Sequence, residues 1–460
     1  EARERVRAAV KNCGAKFPVS RITVNLAPAG QKKAGTVYDL PIFVGLLAAG
    51  RELPPPAQQA AFIGELSLTG ALRGVTGVLP MALTAAASGV QALYVPAENA
   101  AEAAEACGDT MLVYPAHTAL EVVDALRGIR PISPIRCAPF DPTDAWNAAP
   151  DFADVMGQPL ARRAMVLAAA GGHNVLLIGA PGTGKSMLAK RLPGILPPLT
   201  REEAVETTKI YSIAGQMPKG RGLVTARPFR SPHHSASAVS LAGGGAQFRP
   251  GECSLANCGV LFLDELPEFE KKTLEILRQP LEEHSVTVVR VNGSFTFPAH
   301  FMLTAALNPC PCGYYPDRSR CSCTKQQVRR YLGRISRPLL DRIDICVEAA
   351  PVTYRDIRIN QKNESSAAIR ARIEQARAIQ RERYAGSSIY TNSEMGIREI
   401  RRFCGLKEEE ERFLQQIFAR LGLSARGWHK ILKAARTLAD LEGKEQIERT
   451  HLREAAGYRD

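Results

Sequence analysis

The sequence predicts an α/β core built around a parallel sheet, preceded by an α+β domain and followed by helices. Three short apolar runs have the length of buried strands, and each ends in polar residues that suit phosphate or metal chemistry. The runs and their ends are Val175–Ile178 before Lys185-Ser186, Val260–Leu263 before Asp264-Glu265, and 301–307 before Asn308. Because parallel strands end at one edge of their sheet, the pattern predicts a single nucleotide site.

The first of these ends carries the pattern G-x-x-x-x-G-K-S, from Gly179 to Ser186. Such a loop between a strand and a helix wraps a triphosphate with its backbone N–H groups. Lys185 would reach the β- and γ-phosphates, and the Ser186 hydroxyl would hold Mg²⁺. We therefore predict ATP and Mg²⁺ as cofactors. The predicted nucleotide-binding residues are Gly179, Ala180, Pro181, Gly182, Thr183, Gly184, Lys185, Ser186, Met187 and Asp264.

Two carboxylates and an amide complete the predicted chemistry. Asp264 would orient Mg²⁺ through its water ligands, and Glu265 would polarise the water that attacks the γ-phosphate. Asn308, at the end of the third strand, suits a sensor of that phosphate and water. The alternative for Asp264 and Glu265 is a plain acidic turn after a core strand, and the phosphate loop earlier in the chain argues against it.

Composition and charge limit the classes of protein. Of 460 residues, 45% are apolar and 23% are charged, as in soluble globular proteins. No apolar run approaches the ~18 residues of a membrane span, and eleven cysteines predict a reducing compartment, so we expect a cytoplasmic protein. Because the chain begins at Glu1 rather than Met, we expect its natural start to be missing. A net charge of +13 permits a polyanion such as DNA, although a solvated basic surface is the alternative.

Residues 1–130 predict the α+β domain. Residues 21–27 alternate like a strand, Asp39–Ala49 reads as a helix, and residues 61–72 read as a hairpin with Thr69-Gly70 near its turn. Helices are predicted at 80–88 and 97–106, with a strand at 92–95 between them. Five prolines between 131 and 150 favour extended chain, so residues 131–150 are the predicted linker.

Part of this domain resembles a protease. The run from 64 to 103, which begins GELSLTGALRG, resembles the proteolytic domain of Lon proteases, with its ribosomal S5 domain 2-like fold. That family needs a serine nucleophile and a lysine base. Asp39 or a neighbour stands where the serine would lie, and Val78-Leu79-Pro80 stands where the lysine would lie. The resemblance therefore implies a non-proteolytic version used for binding or assembly.

The predicted core, residues 151–350, resembles the AAA+ ATPases, in which the V-x-G-Q stretch that ends here at Gln158 lies near the adenine. Residues 229–251 and a hairpin predicted at 285–297 lie where helix-2-insert members carry loops that grip DNA in a central pore. For His233 and His234, a structural hydrogen-bonding role is favoured over phosphate or metal contact. The candidate DNA contacts are Arg227, Arg230, Arg290, Lys219 and Arg221.

Four cysteines follow the third strand in the pattern C-x-C-x₈-C-x-C. Four thiolates match tetrahedral zinc, and a metal would stabilise the loop between them, which has no core of its own. The spacing differs from the common C-x₂-C, and free cysteines are the alternative. The candidate zinc ligands are Cys310, Cys312, Cys321 and Cys323.

Arginines after the cysteines suggest a site shared between chains. In the AAA+ class an arginine finger completes the site of a neighbouring subunit, and Arg342 matches it best, with Arg337 second. An ion pair between Arg342 and a nearby aspartate is the alternative. Residues 351–460 predict a helical lid, with helices at 366–384 and 423–441 and a helix start at 408–411. In that lid Arg426 is the expected second sensor, ahead of Arg436.

The whole chain resembles the ComM/YifB family of magnesium-chelatase-like competence ATPases in the motifs RPFRSPHHSAS, PGECSLANCGVLFLDELPEF and LNPCPCG. The resemblance implies a helicase that assembles into a hexamer when ATP or DNA is bound and that drives branch migration. Its implied partner is single-stranded or branched DNA. A chelatase-type ATPase that remodels a protein partner is the alternative. The absent serine–lysine pair argues against a Lon-like protease, and no membrane partner is expected.

Overall fold

The computed structural model describes residues 2–19, 21–27, 33, 35–57, 59–107, 111–143, 146, 149–218, 220–245, 248–290, 293–352, 354 and 363–459. Contacts divide the chain into two compact units. The first comprises Glu1–Asp141 and Thr200–Val224, and the second comprises Pro142–Leu199 and Thr225–Asp460. No helix in these ranges has the length and apolar character needed to cross a membrane.

The secondary structure alternates helices with short strands. The α-helices are α1 (Ala2–Asn12), α2 (Asp39–Ala49), α3 (Val78–Ala87), α4 (Ala100–Ala104), α5 (Ala119–Leu126), α6 (Pro159–Gly171), α7 (Lys185–Ile195), α8 (Arg201–Ala214), α9 (Ala238–Ala242), α10 (Glu252–Leu255), α11 (Lys271–Ile276), α12 (Arg278–Glu283), α13 (Lys325–Leu332), α14 (Arg337–Leu340), α15 (Ser366–Arg383), α16 (Ile397–Phe403), α17 (Glu408–Leu421), α18 (Ala425–Leu441) and α19 (Arg449–Gly457). The strands are β1 (Ala60–Phe62), β2 (Glu65–Leu66), β3 (Leu72–Arg73), β4 (Ala92–Pro96), β5 (Leu112–Ala116), β6 (Val175–Ile178), β7 (Phe229–Arg230), β8 (Gly243–Gly244), β9 (Arg249–Pro250), β10 (Val260–Leu263), β11 (Ser285–Arg290), β12 (Gly293–Pro298), β13 (Met302–Leu307) and β14 (Ile345–Glu348).

In the first unit, β1, β4 and β5 form a parallel sheet, and β2 pairs antiparallel with β3. The predicted helices at 39–49 and 80–88 and the strand at 92–95 are confirmed. Helices α1, α2 and α5 pack around Leu66 and Leu72. The strand predicted at 21–27 is wrong, since these residues are irregular and exposed. Their alternating apolar side chains meet no partner strand among the described residues, and a strand needs one.

Asp39, which stands where the protease nucleophile would lie, has a packing role. Its side chain is 2% exposed and accepts hydrogen bonds from Arg5 at 2.6 and 3.1 Å. It also accepts one from the Leu66 N–H at 3.3 Å. A carboxylate held in a buried ion pair is not an activated nucleophile. The Lon-like fold of this unit stays a prediction.

The second unit contains a five-stranded parallel sheet in the order β14-β6-β13-β10-β7. The three strands predicted from apolar runs are its central neighbours, and every residue of β10 and β13 is buried. The predicted hairpin is confirmed as β11 and β12, although residues 291–292 of its predicted turn lie outside the described part. One correction concerns β7, which opens the segment predicted as a glycine-rich excursion and instead forms the sheet edge.

The predicted domain boundaries differ from this division. One hydrophobic core joins β6 to α15 and α18, so the sheet and the predicted lid share a unit. Trp146, in the predicted linker, belongs to the same unit and lies 3.7 Å beneath the Arg370 guanidinium. Helix α8, predicted within the core, belongs to the first unit. The hydrophobic pattern of a helix does not specify which neighbour covers its apolar face.

A buried polar network holds the sheet to the carboxyl-terminal helices. His173 Nδ1 lies 3.3 Å from Asp344 Oδ2, and His173 Nε2 lies 2.9 Å from Thr437 Oγ1. Lys430 Nζ donates to the Ile343 carbonyl at 2.6 Å and lies 3.9 Å from Asp344. Burial would raise the pKa of Asp344, but the His173 hydrogen bond and the Lys430 charge outweigh burial and lower that pKa to about 2. The Asp344 carboxylate is therefore ionised at neutral pH.

Candidate active site

The phosphate loop lies between the carboxyl end of β6 and the start of α7 at Lys185. Gly182 and Gly184 have φ values of +79° and +86°, the left-handed region that favours glycine. A Cβ on Gly179 would lie only 2.6 Å from the Ala349 carbonyl oxygen. These glycines let the loop turn tightly, and the first N–H groups of α7 then face the space above it.

Lys185 is the buried cation of the loop, with 8% of its surface exposed. Its Nζ donates to the carbonyls of Gly179 and Ala180 at 2.8 and 2.9 Å and to Asn308 Oδ1 at 3.1 Å. Burial lowers the pKa of Lys185, and the charges of Asp264 and Glu265 oppose that shift. The predicted phosphate ligand and the predicted sensor, distant in sequence, therefore meet in one hydrogen bond.

Ser186 and Asp264 also meet, as expected for two groups that share one cation. The Ser186 hydroxyl donates to Asp264 Oδ2 at 2.6 Å. Asp264 Oδ1 accepts the N–H of Glu265 at 2.9 Å, which fixes the carboxylate at the end of β10. The loop and the acidic strand end thus form one site at the carboxyl edge of the sheet.

Glu265 takes an unusual backbone conformation and has a partner that the sequence reasoning did not assign to it. Its φ is +51°, in the left-handed region that a non-glycine residue adopts at a cost of about 1 kcal/mol or more. Its Oε2 lies 3.2 Å from His234 Nδ1, while His233 Nδ1 lies 2.8 Å from Ser235 Oγ. His233 thus makes a hydrogen bond of the structural kind favoured for it, whereas His234 lies beside the Glu265 carboxylate, where it can orient that group.

Gln158 ties the loop to the strand on its other side. Its Nε2 donates to the Thr183 carbonyl at 2.8 Å and to the Ala350 carbonyl. Its buried Oε1 has no hydrogen-bond partner in the described part of the chain. An unpaired buried acceptor beside a phosphate loop is costly unless a ligand supplies a donor. This position suits the predicted role near the adenine.

The residues fit a nucleoside triphosphate with a divalent cation. A buried lysine at a helix start offers positive charge to phosphate. The Ser186 and Asp264 oxygens, 2.6 Å apart, are hard donors of the type that Mg²⁺ prefers. The buried Gln158 oxygen, which has no partner among the described residues, would be satisfied by a hydrogen-bond donor from a ligand.

Three family models match successive parts of the chain. They are described as "Subunit ChlI of Mg-chelatase" for residues 1–99, "Magnesium chelatase, subunit ChlI" for 151–357, and "Magnesium chelatase, subunit ChlI C-terminal" for 363–459. The chain is 44% identical to the competence protein ComM of Haemophilus influenzae and 45% identical to the YifB protein of Salmonella typhimurium. Each match covers 100% of this chain and 89% of the relative. The chain belongs to the ComM/YifB family.

The relationship to the magnesium chelatases themselves is more distant. The 38 kDa magnesium-chelatase subunit of Acidiphilium rubrum is 25% identical over 66% of this chain and 88% of its own length. Membership of this magnesium-chelatase-like class implies an AAA+ ATPase core that uses ATP and Mg²⁺. The sheet and the site described above agree with that class.

In this ComM/YifB protein, Arg342 lies at the amino-terminal ends of the strands, opposite the carboxyl-terminal ends where the phosphate loop lies. This side is here called the far edge of the sheet. Arg342 precedes β14, and the loop follows the parallel strand β6, so at least the length of a four-residue strand, about 13 Å, separates the two. Its side chain is 9% exposed and donates to the Glu282 carboxylate and the Pro338 carbonyl. Arg337, the second candidate, begins α14 and is exposed.

The role of Arg426 as second sensor of its own chain stays a prediction, and its ion-pair contact lies away from the phosphate loop. Arg426, in the first turn of α18, is 65% exposed and forms an ion pair with Asp341 at 3.9 Å. Asp341 lies beside Arg342, on the far edge of the sheet. Arg436 is 3% exposed and bonds Asp440 at 3.1 Å, which makes it a packing residue.

Two candidate DNA contacts are engaged inside the second unit. Arg227 donates to the carbonyls of Pro197, Cys258 and Pro198 at 2.5, 2.6 and 3.1 Å. Arg230 forms a two-bond ion pair with a glutamate of α10 at 2.7 and 2.8 Å. These bonds give both side chains a role within the fold, and their part in DNA contact stays a prediction.

A basic helix face that sequence reasoning missed offers more exposed charge. Arg221 is exposed, whereas Lys219 and the side chain of Arg290 lie outside the described residues. Helix α13 carries three exposed basic side chains and no acidic one. These are Lys325, Arg329 and Arg330, here called the α13 basic face. Its signal, a cluster of basic residues after the cysteines, was visible in the sequence.

The four cysteines converge although eight residues separate the two pairs. Their sulfur atoms all lie within 4.8 Å of one another, and all four are free thiols. Three of the four are buried, and Cys312 is half-buried. This is the donor set of a structural zinc site.

Proposed function

We propose that this protein is an ATP-driven DNA motor that works as a ring, in which each nucleotide site lies between two chains. One observation carries the proposal: Lys185, Asn308, Ser186 and Asp264 meet at one sheet edge while the candidate arginine fingers lie at the other. Among the described residues, the candidate arginine fingers have their contacts away from the phosphate loop. A site of this kind is completed most simply by an arginine of a second chain.

Each residue of the site has one task. Lys185 binds the phosphates. Asn308, which accepts a hydrogen bond from Lys185, contacts the terminal phosphate. Ser186 and Asp264 would hold Mg²⁺, and the ion would supply positive charge against the charge that develops on the phosphate oxygens. Glu265, oriented by His234, accepts the proton of the attacking water. Gln158 accepts a hydrogen bond from the bound nucleotide at its buried oxygen.

The neighbouring chain contributes from its far sheet edge. Arg426 and Arg337 are exposed there, and Arg342 would need to leave Glu282 to reach outward. Since all three lie at or near the amino-terminal end of β14, one interface brings them to the phosphate loop of the next chain. We propose a hexamer that drives branch migration, as the family resemblance of the sequence implies. The name of the Haemophilus influenzae relative, a competence protein, supports a role in competence.

DNA is the proposed polyanion, and the α13 basic face is the best supported contact surface. Its three side chains present three positive charges on one exposed helix. Contacts of this kind release counterions from DNA, so the logarithm of affinity falls with the logarithm of salt by about 0.7 to 0.9 per phosphate contacted. A triple change of Lys325, Arg329 and Arg330 to Gln should therefore reduce the slope by about 2 to 3.

The test measures binding of single-stranded and forked DNA by fluorescence anisotropy at salt concentrations from about 50 to about 300 mM. We expect binding that weakens with salt, and a smaller slope for the triple variant. A matched control replaces Lys407, Arg412 and Arg420, which lie in or beside the separate helix α17, by Gln. Absence of DNA binding at the lowest salt would overturn the motor proposal.

A second candidate is a chelatase-type ATPase that remodels a protein partner. The family models, which carry the magnesium-chelatase name, favour it. The same nucleotide site would serve both functions, so the site does not separate them. Stimulation of ATP hydrolysis by DNA supports the first, and stimulation only by a partner protein supports the second.

A further inference from the structure

We propose that the four cysteines bind one zinc ion, and that this ion clamps residues 310–323, here called the cysteine loop, against the phosphate loop. Nucleotide affinity would then depend on zinc at a site that does not touch the nucleotide. The inference deepens the proposed function and rests on it in one respect, that the phosphate loop binds a nucleotide.

The sulfur geometry fits a single tetrahedral ion. Cys310 Sγ lies 3.3 Å from Cys312 Sγ and 3.7 Å from Cys321 Sγ, and Cys312 lies 3.6 Å from Cys321. Zinc–sulfur bonds of about 2.3 Å place the sulfurs of a tetrahedron about 3.8 Å apart. These three sulfurs are therefore near the edge lengths of a ZnS₄ site, and Cys323 Sγ lies within 4.8 Å of each of them. The three separations are well beyond a disulfide bond, which is about 2.05 Å.

The cysteine loop has little else to order it. Its apolar cluster consists of the cysteines themselves with Val328 and, partly buried, Tyr314 and Tyr315. Arg318 and Arg320 stack on these two tyrosines at 5.1 and 4.0 Å. A loop with so small a core gains most of its stability from a metal, because binding free energy becomes folding free energy.

Gly313, between the two cysteine pairs, makes the contact with the phosphate loop. Its φ is +86°, and a Cβ at this position would lie 2.8 Å from Pro181 Cγ and closer still to Pro181 Cδ. Only glycine satisfies both the backbone conformation and the close approach. The cysteine loop therefore packs directly on the loop that is to hold the phosphates.

The second connection runs through the chain itself. Cys310 follows Asn308 by two residues, and Asn308 accepts the 3.1 Å hydrogen bond from Lys185. An ion that fixes Cys310 thereby fixes the path of the chain leaving β13 at its sensor residue. Loss of the ion would loosen the phosphate loop from one side and the sensor from the other.

The first experiment compares the full chain with Cys312→Ser, chosen because Cys312 is the least buried of the four cysteines. We expect about one zinc per chain in the wild type and a large loss in the variant, by elemental analysis. When the zinc is lost, the affinity for a fluorescent ADP analogue should fall by at least about tenfold, while the far-ultraviolet circular dichroism stays unchanged.

The second experiment tests the contact without touching the metal. Gly313→Ala should weaken binding of the fluorescent ADP analogue by about tenfold and keep its zinc. Gly386→Ala is the matched control, because Gly386 has φ +78° but no atom within 4 Å of a Cβ there. It carries the same backbone penalty without the overlap, and we expect wild-type affinity for it. If Cys312→Ser unfolds, this pair still decides the proposal.

Three results would overturn the inference: a wild type without zinc that binds the analogue normally, a zinc-free Cys312→Ser chain with wild-type affinity, or equal affinities for Gly313→Ala and Gly386→Ala. None of these touches the motor proposal, which fails separately if DNA is not bound. Conversely, if nucleotide binding depends on zinc but the chain does not bind DNA, the zinc proposal stands and the DNA-motor proposal fails.

Discussion

Replacing Glu265 by Gln should leave ATP bound and stop its hydrolysis. The Glu265 side chain is 53% exposed, and its 3.2 Å contact with the half-buried His234 lies near solvent. Such a pair contributes about 0.2 to 1 kcal/mol, so the free energy of unfolding should change by less than about 1 kcal/mol. Loss of a general base, in contrast, costs about 10² to 10⁴ in rate.

His234→Ala gives a graded comparison for the same site. It leaves the Glu265 carboxylate in place and removes only the group that orients it. Because 1.4 kcal/mol corresponds to tenfold in rate, a pair of at most about 1 kcal/mol limits the loss to roughly fivefold. The two variants should therefore differ in rate by at least about tenfold.

The assay measures single-turnover hydrolysis of radiolabelled ATP with saturating protein, alongside nucleotide affinity and urea unfolding of each variant. We expect near-wild-type affinity and stability for both variants, and a deep loss of hydrolysis only for Glu265→Gln. Hydrolysis by Glu265→Gln within a few-fold of the wild type would refute the general-base role. An equal deep loss in His234→Ala would show that His234 does more than orient Glu265.

Three further predictions concern the loop, the interface and acid stability. Lys185→Ala should abolish ATP binding in equilibrium dialysis, because the site loses its buried cation; retained binding would contradict its role. Equal mixtures of Lys185→Ala and Arg342→Ala chains should regain part of the ATP hydrolysis that each variant lacks, because some interfaces then join an intact phosphate loop to an intact arginine. The same mixture with Arg337→Ala in place of Arg342→Ala decides between the two arginines. Asp344→Asn should lower the free energy of unfolding at pH 7 by roughly 2 kcal/mol, because the pKa of Asp344 is lowered from 3.8 to about 2 in the folded chain. That stability is present above pH ~4 and is lost as the pH falls toward 2, so urea unfolding of wild type and variant should converge near pH 2; a constant difference would contradict it.

The sheet core was predictable because its signals are local. The runs of β6, β10 and β13 are short and apolar apart from Thr304, so burial on both faces follows directly. The glycines at 182 and 184 report a backbone conformation that few other residues adopt. The strand at 21–27 was predicted wrongly, since alternation alone does not supply a partner strand.

The site was predictable in its residue types and less so in its partners. The sequence pointed to Lys185 and Asn308 separately, but their 3.1 Å contact depends on the order of strands in the sheet. It could not reveal that Arg227 is held by three carbonyls, because charge and spacing are the same for a buried and an exposed arginine. Nor could it place Arg426 beside Asp341, which depends on how α18 crosses the unit.

The most direct test of the account measures the steady-state rate of ATP hydrolysis with and without branched DNA, at low and at raised salt. We predict a rate that rises with branched or single-stranded DNA and loses that rise as salt weakens the phosphate contacts. The Glu265→Gln chain should show no rise under either condition. A wild-type rate that is indifferent to DNA and rises only with a partner protein would contradict the account.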